Sequence, residues 1–161
     1  MKFQHLGKPI SKQRHRFARG FVYDPQTRVK NIMKRAFAEQ FRSQGYLKAL
    51  EGPIAVDVDI RHQIPASWPK KRKIAVLEGS ENFVITKPDV DNIVKFYFDV
   101  LNKIAYDDDC QIVQLTSQMR YSNEAGVIIT LFPVEDEGFL EKIRGVFQKY
   151  INPFGGYNEQ Q

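Results

Sequence analysis

The sequence predicts an α/β (α+β) fold: a single compact domain with a mixed β-sheet, two main helices packed on one face and an added C-terminal helix. Three observations carry this. Ile54, Val56, Val58 and Ile60 alternate with Ala55, Asp57, Asp59 and Arg61, the period of a half-buried strand. Two stretches, roughly 27–48 and 91–104, repeat apolar residues at helical spacing. Between residues 83 and 115 the order is strand, acidic turn, helix, acidic turn, strand. A chain of 161 residues forms one domain with a sizeable core.

In chain order, Met1–Leu6 and Arg16–Tyr23 read as strands on either side of a loop that begins Gly7-Lys8-Pro9 and carries Lys12, Arg14 and Arg16. A flexible cationic loop of this kind can follow phosphates or simply be solvated. Asp24-Pro25-Gln26-Thr27 turns into the first helix, whose apolar stripe is Val29, Ile32, Met33, Phe37 and Phe41, with Arg28, Lys30, Lys34, Arg35 and Arg42 around it. Glu51-Gly52-Pro53 ends this unit, and the alternating strand follows. Asp57 and Asp59 fall on its polar face and are expected in solvent. Pro65–Lys73 reads as a proline-punctuated loop ending in Lys70, Lys71, Arg72 and Lys73. Trp68 beside that run suits either stacking on an unpaired base or packing as a lid on the sheet. Phe83–Ile85 is a short strand candidate.

Lys87 precedes a proline and should be extended, and Asp91 or Asn92 caps the second helix. Its stripe is Val90, Ile93, Val94, Tyr97, Val100, Leu101 and Ile104, while Asp91, Lys95 and Asp99 share a face at steps of four. Gln111–Arg120 and Gly126–Val134 read as a hairpin. Glu135–Tyr150 is an amphipathic helix with Phe139, Leu140, Ile143, Val146 and Phe147 on one side, followed by a polar end that should fray. The main domain is therefore placed at 1–134, and the helix and tail at 135–161.

Charge is divided along the chain. The net charge is +5, but residues 1–50 hold twelve Lys and Arg against two acids, whereas residues 51–161 hold twelve against seventeen. One part attracts polyanions and the other gathers carboxylates, a division suited to holding a phosphate backbone and acting on it. The single cysteine, Cys110, rules out an internal disulfide and fits a reducing compartment. No apolar run approaches a membrane span and the first residues lack a signal-peptide core, so the expected location is the cytoplasm, with no membrane partner.

The candidate chemistry lies in Lys87-Pro88-Asp89-Val90-Asp91-Asn92-Ile93-Val94-Lys95 and in Asp107-Asp108-Asp109-Cys110-Gln111. Converging carboxylates with a lysine and no histidine suit a hard divalent cation, Mg²⁺ or Mn²⁺ rather than Zn²⁺. Such an ion clamps a phosphate oxygen and generates hydroxide from water. The plainer readings are helix capping for Asp-x-Asp and a solvated turn for the second run. A calcium loop starting at Asp89 is excluded, because Val94 and Val100 stand where glycine and glutamate are required.

These residues, with Phe98-Asp99-Val100-Leu101 and Tyr106-Asp107-Asp108-Asp109-Cys110-Gln111, resemble the signature of the RusA family of Holliday junction resolvases. The resemblance covers about residues 1–134. It implies a Mg²⁺-dependent endodeoxyribonuclease acting as a homodimer on branched DNA, with Asp89, Asp91 and Asp109 as metal ligands and Lys95 as catalytic lysine. Asp108 is the alternative register for Asp109, and the Asp-Asp-x-Gln pattern selects Asp109. Asp99 is expected to hold Lys95 by a charge-assisted hydrogen bond. Lys12, Arg14 and Arg16, and Lys70, Lys71 and Arg72, are the expected DNA-binding residues. A nuclease of flaps or duplex, or a DNA-binding protein without catalysis, are the competing readings.

Overall fold

The computed structural model describes residues 1–134 apart from Arg19 and Glu81; the C-terminal helix and tail expected over 135–161 lie outside the described residues. Four strands form the main sheet: β1 (Lys2–Leu6), β4 (Ile54–Gln63), β5 (Ile112–Ser122) and β6 (Gly126–Pro133), in the order β1-β6-β4-β5. β4 is parallel to β5 and antiparallel to β6. A parallel pair needs a long crossover, and here the crossover contains α2 (Lys70–Leu77) and α3 (Val90–Leu101). α1 (Thr27–Ser43) precedes β4, and β2 (Arg16–Ala18) with β3 (Phe21–Tyr23) forms a separate two-stranded ribbon.

The core lies between one sheet face and the two main helices. Val56, Val58 and Ile60 of β4, Val127, Ile129 and Leu131 of β6 and Phe3 of β1 meet Met33, Phe37 and Phe41 of α1 and Ile93, Phe96, Tyr97, Val100 and Leu101 of α3. Aromatic rings join the layers: Phe37 sits 5.4 Å from Phe3 and 6.3 Å from Tyr97, centroid to centroid, within the range of favourable ring pairs. α1 also closes the open edge of β1. Gln40 accepts the Gln4 N–H and donates to its carbonyl, and Gln44, one turn on, does the same for Lys2. Side-chain amides thus take the place of a neighbouring strand, one way to protect an edge.

Several expectations are corrected. The first helix stops at Ser43 rather than 48, because Gly45 takes the left-handed conformation (φ 81°) and its N–H bonds Arg42 O, a common helix stop. Ile32, assigned to the apolar stripe, is 56% exposed. Arg16–Tyr23 is no continuous strand but a hairpin, turning at Gly20 (φ 85°). Residues 70–77, within and beyond the expected loop, are helical, with Pro69 at the cap. β5 and β6 are not a hairpin: β4 lies between them, and residues 123–125 join strands two places apart.

Asp59 is not solvated. It is 8% exposed, on the sheet face opposite the core. Arg120 donates to it at two points, Nε to Oδ1 at 2.9 Å and Nη2 to Oδ2 at 2.8 Å, and Arg61 Nε donates to Oδ2 at 2.9 Å. Burial pushes its carboxyl up, but the two guanidiniums outweigh this and hold it below the ordinary value. Arg61 and Arg120 stand directly opposite each other on the paired strands, so one acid reconciles two like charges.

Candidate active site

Asp89 is the cap residue of α3, extended at φ −70° and ψ 147°, yet its side chain makes no capping hydrogen bond. Helix begins at Val90, earlier than the sequence indicates, so Asp91 lies in the first helical turn, where the helix dipole favours a carboxylate. Lys95 Nζ donates to Asp91 Oδ2 at 3.0 Å, with both side chains more than half exposed. That hydrogen bond holds the Asp91 carboxyl below its usual range. The head of α3 therefore presents two carboxylates and an ammonium to solvent, while the opposite face of the helix is core.

Asp99 does something other than expected. It bonds not Lys95 but Lys12, at 3.0 Å, and Lys30, at 2.7 Å, and Lys30 also meets Asp24 at 2.7 Å. The chain Asp24–Lys30–Asp99–Lys12 links α1, α3 and the N-terminal loop. Close by, the Lys12 N–H donates to Asn92 O at 2.8 Å. The cation-rich loop is thus fastened to the first turn of the acid-bearing helix.

The second acidic run is built differently. Asp108 caps the 3-10 turn Asp109–Gln111, accepting the Cys110 N–H at 3.0 Å, and Gln111 Oε1 accepts the Asp107 and Asp108 N–H groups. Gln111 Nε2 donates to Leu50 O and Gly52 O, each at 3.0 Å, and so ties the turn to the chain entering β4. Asp108 and Gln111 are structural parts of the Asp-Asp-x-Gln sequence, and exposed Asp109 makes none of these capping bonds.

Asp109 follows the C-terminal end of α3, whereas Asp89 and Asp91 stand at its N-terminal end. The helix advances about 15 Å between Asp91 and Leu101. Among the described residues, no three His, Cys, Asp or Glu side chains group as a metal site. Asp89 and Asp91 thus stand together at the head of α3, and Asp109 on the capped turn that follows its other end.

Of the expected DNA-binding residues, Lys12 is engaged with Asp99, and Arg14 and Arg16 are exposed. Lys70, Lys71 and Arg72 project from the first turn of α2. Trp68 is a lid: its ring stacks edge-on to Tyr121 at 4.7 Å and lies 3.7 Å below the Arg72 guanidinium. Sequence reasoning missed the Asp59–Arg61–Arg120 group, whose signal was an aspartate two residues before an arginine on one strand.

Comparison with known proteins identifies the family. Residues 7–132 match the family model described as endodeoxyribonuclease RusA. Over 139 residues the chain is 30% identical to the uncharacterized protein YqaN of Bacillus subtilis (strain 168), covering 81% of this chain and 94% of that protein. The matched span takes in the basic loop, the head of α3 and the capped acidic turn, and the chain belongs to the RusA family of endodeoxyribonucleases.

Proposed function

We propose that the protein is a Mg²⁺-dependent endonuclease that hydrolyses DNA phosphodiester bonds at four-way junctions, by paired cuts made as a homodimer, in recombination and repair. The observation that carries this is the head of α3, where Asp89 is free of capping and Asp91 and Lys95 face solvent together. A fold that used these acids only to start a helix would draw the Asp89 side chain into the cap.

The donor set fits the ion. Mg²⁺ keeps several waters and is commonly held by one or two carboxylates with substrate phosphates, so Asp89 and Asp91 are a sufficient protein contribution; Mn²⁺ shares their preference for oxygen. When bound, such an ion polarises a phosphate and lowers the pKa of water. Lys95 stands one turn above Asp91, and its exposed pairing is weak enough to exchange. It turns to the substrate and stabilises negative charge on the phosphate oxygens. The tethered loop with Arg14 and Arg16 holds the backbone nearby. In a two-fold dimer the C-terminal end of one α3 can lie beside the N-terminal end of the other, and Asp109 then joins the site of the partner copy.

Incubating the protein with junction, flap and duplex DNA, with and without Mg²⁺, tests the proposal. Cleavage of the junction that needs the ion, and that Asp89→Asn or Asp91→Asn abolishes while leaving binding intact, is the expected result. Cleavage of flaps or duplex in preference to junctions would reassign the substrate. Binding with no cleavage under any divalent ion would leave a DNA-binding protein. Mixing Asp89→Asn/Asp91→Asn chains with Asp109→Asn chains should restore nicking, because one site in each mixed dimer is complete. No restoration would place Asp109 outside the partner's site.

A further inference from the structure

The β2–β3 hairpin carries large apolar side chains that nothing in the described fold covers. Phe17 is 73% exposed, Val22 66% and Phe21 61%. Its register sets Phe17 opposite Val22, Ala18 opposite Phe21 and Arg16 opposite Tyr23. Directly opposed residues share a face, so Phe17 and Val22 occupy one side of the ribbon, and Phe21, Tyr23 and Arg16 the other. Both sides present an aromatic ring, and among the described residues neither side is covered.

The base of the hairpin is held firmly. Gln26 is 7% exposed, and its side chain closes the loop, accepting the Gln13 N–H at 2.7 Å and donating to Ser11 O at 2.8 Å. Asp24 accepts the Gln26 N–H at 2.8 Å. Lys12, just before this closure, is bound to α3 through Asn92 and Asp99. A finger of ten residues, 14–23, thus springs from a clamp on the first turn of the helix that carries Asp89 and Asp91.

Its charge says what it meets. From Lys8 to Tyr23 there are five Lys and Arg and no acid. A second copy of the same hairpin would bring like charges together, which opposes association. Nucleic acid offers what both features need: phosphates for the arginines and π-faces for the rings. A duplex keeps its bases stacked, so rings on both sides of a narrow ribbon find partners only where stacking is broken, as it is at a branch point.

We propose that the β2–β3 hairpin is a base-stacking finger that enters the branch point of the DNA. Phe17 and Phe21 stack on unpaired bases from opposite sides, and Arg14 and Arg16 hold the flanking phosphates. The inference rests on branched DNA being the substrate, as proposed above, but it concerns binding and not cleavage.

The test uses the full-length chain, without divalent ions, and a four-way junction carrying 2-aminopurine at the branch point. Saturating protein should raise the fluorescence severalfold as the base unstacks. Phe17→Ser/Phe21→Ser, with thermal melting unchanged, should lose at least half of that rise and bind the junction roughly thirtyfold more weakly or worse, the order of two lost stacks. Phe17→Trp should keep the rise, and its added indole emission should be quenched by the stacked base. No rise with the unaltered protein, or an equal rise with the double variant, overturns the proposal. So does a double variant that sediments as a smaller species than the unaltered protein, because the face would then belong to a second copy. Unstacking without Mg²⁺-dependent cutting would refute the nuclease reading and leave the finger standing; cutting without unstacking would do the reverse.

Discussion

Asp99 Oδ2 lies 3.0 Å from the Lys12 ammonium, a contact between residues 87 apart in the chain. Burial would raise the Asp99 carboxyl, but Lys30 and Lys12 outweigh it and hold the group below 3.8. A carboxyl depressed by folding adds stability above its unfolded pKa and loses it as pH falls through the folded value. Asp99→Asn should therefore cost about 1 kcal/mol at pH 7, a figure reduced for partial exposure. The variant's melting temperature should fall less steeply than that of the unaltered protein below pH 4. Junction affinity should also weaken, since the cationic loop loses its tether. Melts at both pH values and a DNA titration check this; an unchanged affinity would make the tether irrelevant to binding.

Asp59 sits under two arginines that are each about one third exposed. Removing the acid leaves Arg61 and Arg120 facing one another across the parallel pair of strands. Asp59→Asn should cost about 2–3 kcal/mol, below the range for fully buried pairs because the arginines keep some water. Urea unfolding measures it. Because Asp59 is depressed by folding, the difference between variant and unaltered protein should shrink as pH falls below about 4.

How far these features were legible depended on whether the signal was local. The strand Ile54–Arg61 and the apolar stripe of α3 could be read because period alone determines which side is buried. α2 could not, since it is eight residues long and buries only Val76, and prolines precede it. The insertion of β4 between β5 and β6 was hidden because the short connection 123–125 looks the same whether it joins adjacent strands or passes a third. Asp59 and Asp89 have identical spacing to a second aspartate. What separates them is Arg120, 61 residues from Asp59. Asp99 was matched to Lys95 by helical spacing, but Lys12 and Lys30 reached it from elsewhere in the chain. The acidic residues were identifiable from their types and order, whereas the capping of the Asp109–Gln111 turn by Asp108 required the fold.

At Gly126 the β6 backbone lies close against β1. A Cβ built there would stand 2.8 Å from the backbone oxygen of His5, and backbone cannot swing aside as a side chain can. Gly126→Ala should destabilise the protein by about 1–3 kcal/mol, the usual cost of overpacking. Hydrogen exchange should become faster at the end of β1 near Leu6, which pairs with Gly126, than in β4. A variant as stable as the original would show that β1 shifts freely.

Lys95 competes with any cation for Asp91, since it donates to the same carboxylate at 3.0 Å. That competition separates two effects of removing it. Lys95→Ala should lower the plateau cleavage rate by roughly 10²–10³-fold, the scale for losing one group that stabilises transition-state charge. The Mg²⁺ concentration for half-maximal rate should fall or stay level, because Asp91 is released. Lys95→Arg, which keeps the charge with a different geometry, should recover part of the rate. Both side chains are more than half exposed, so the melting temperature should not move. A Mg²⁺ titration of single-turnover cleavage reads rate and midpoint together. If Lys95→Ala raised the midpoint and left the plateau intact, the lysine would be acting on ion binding and not on the phosphate.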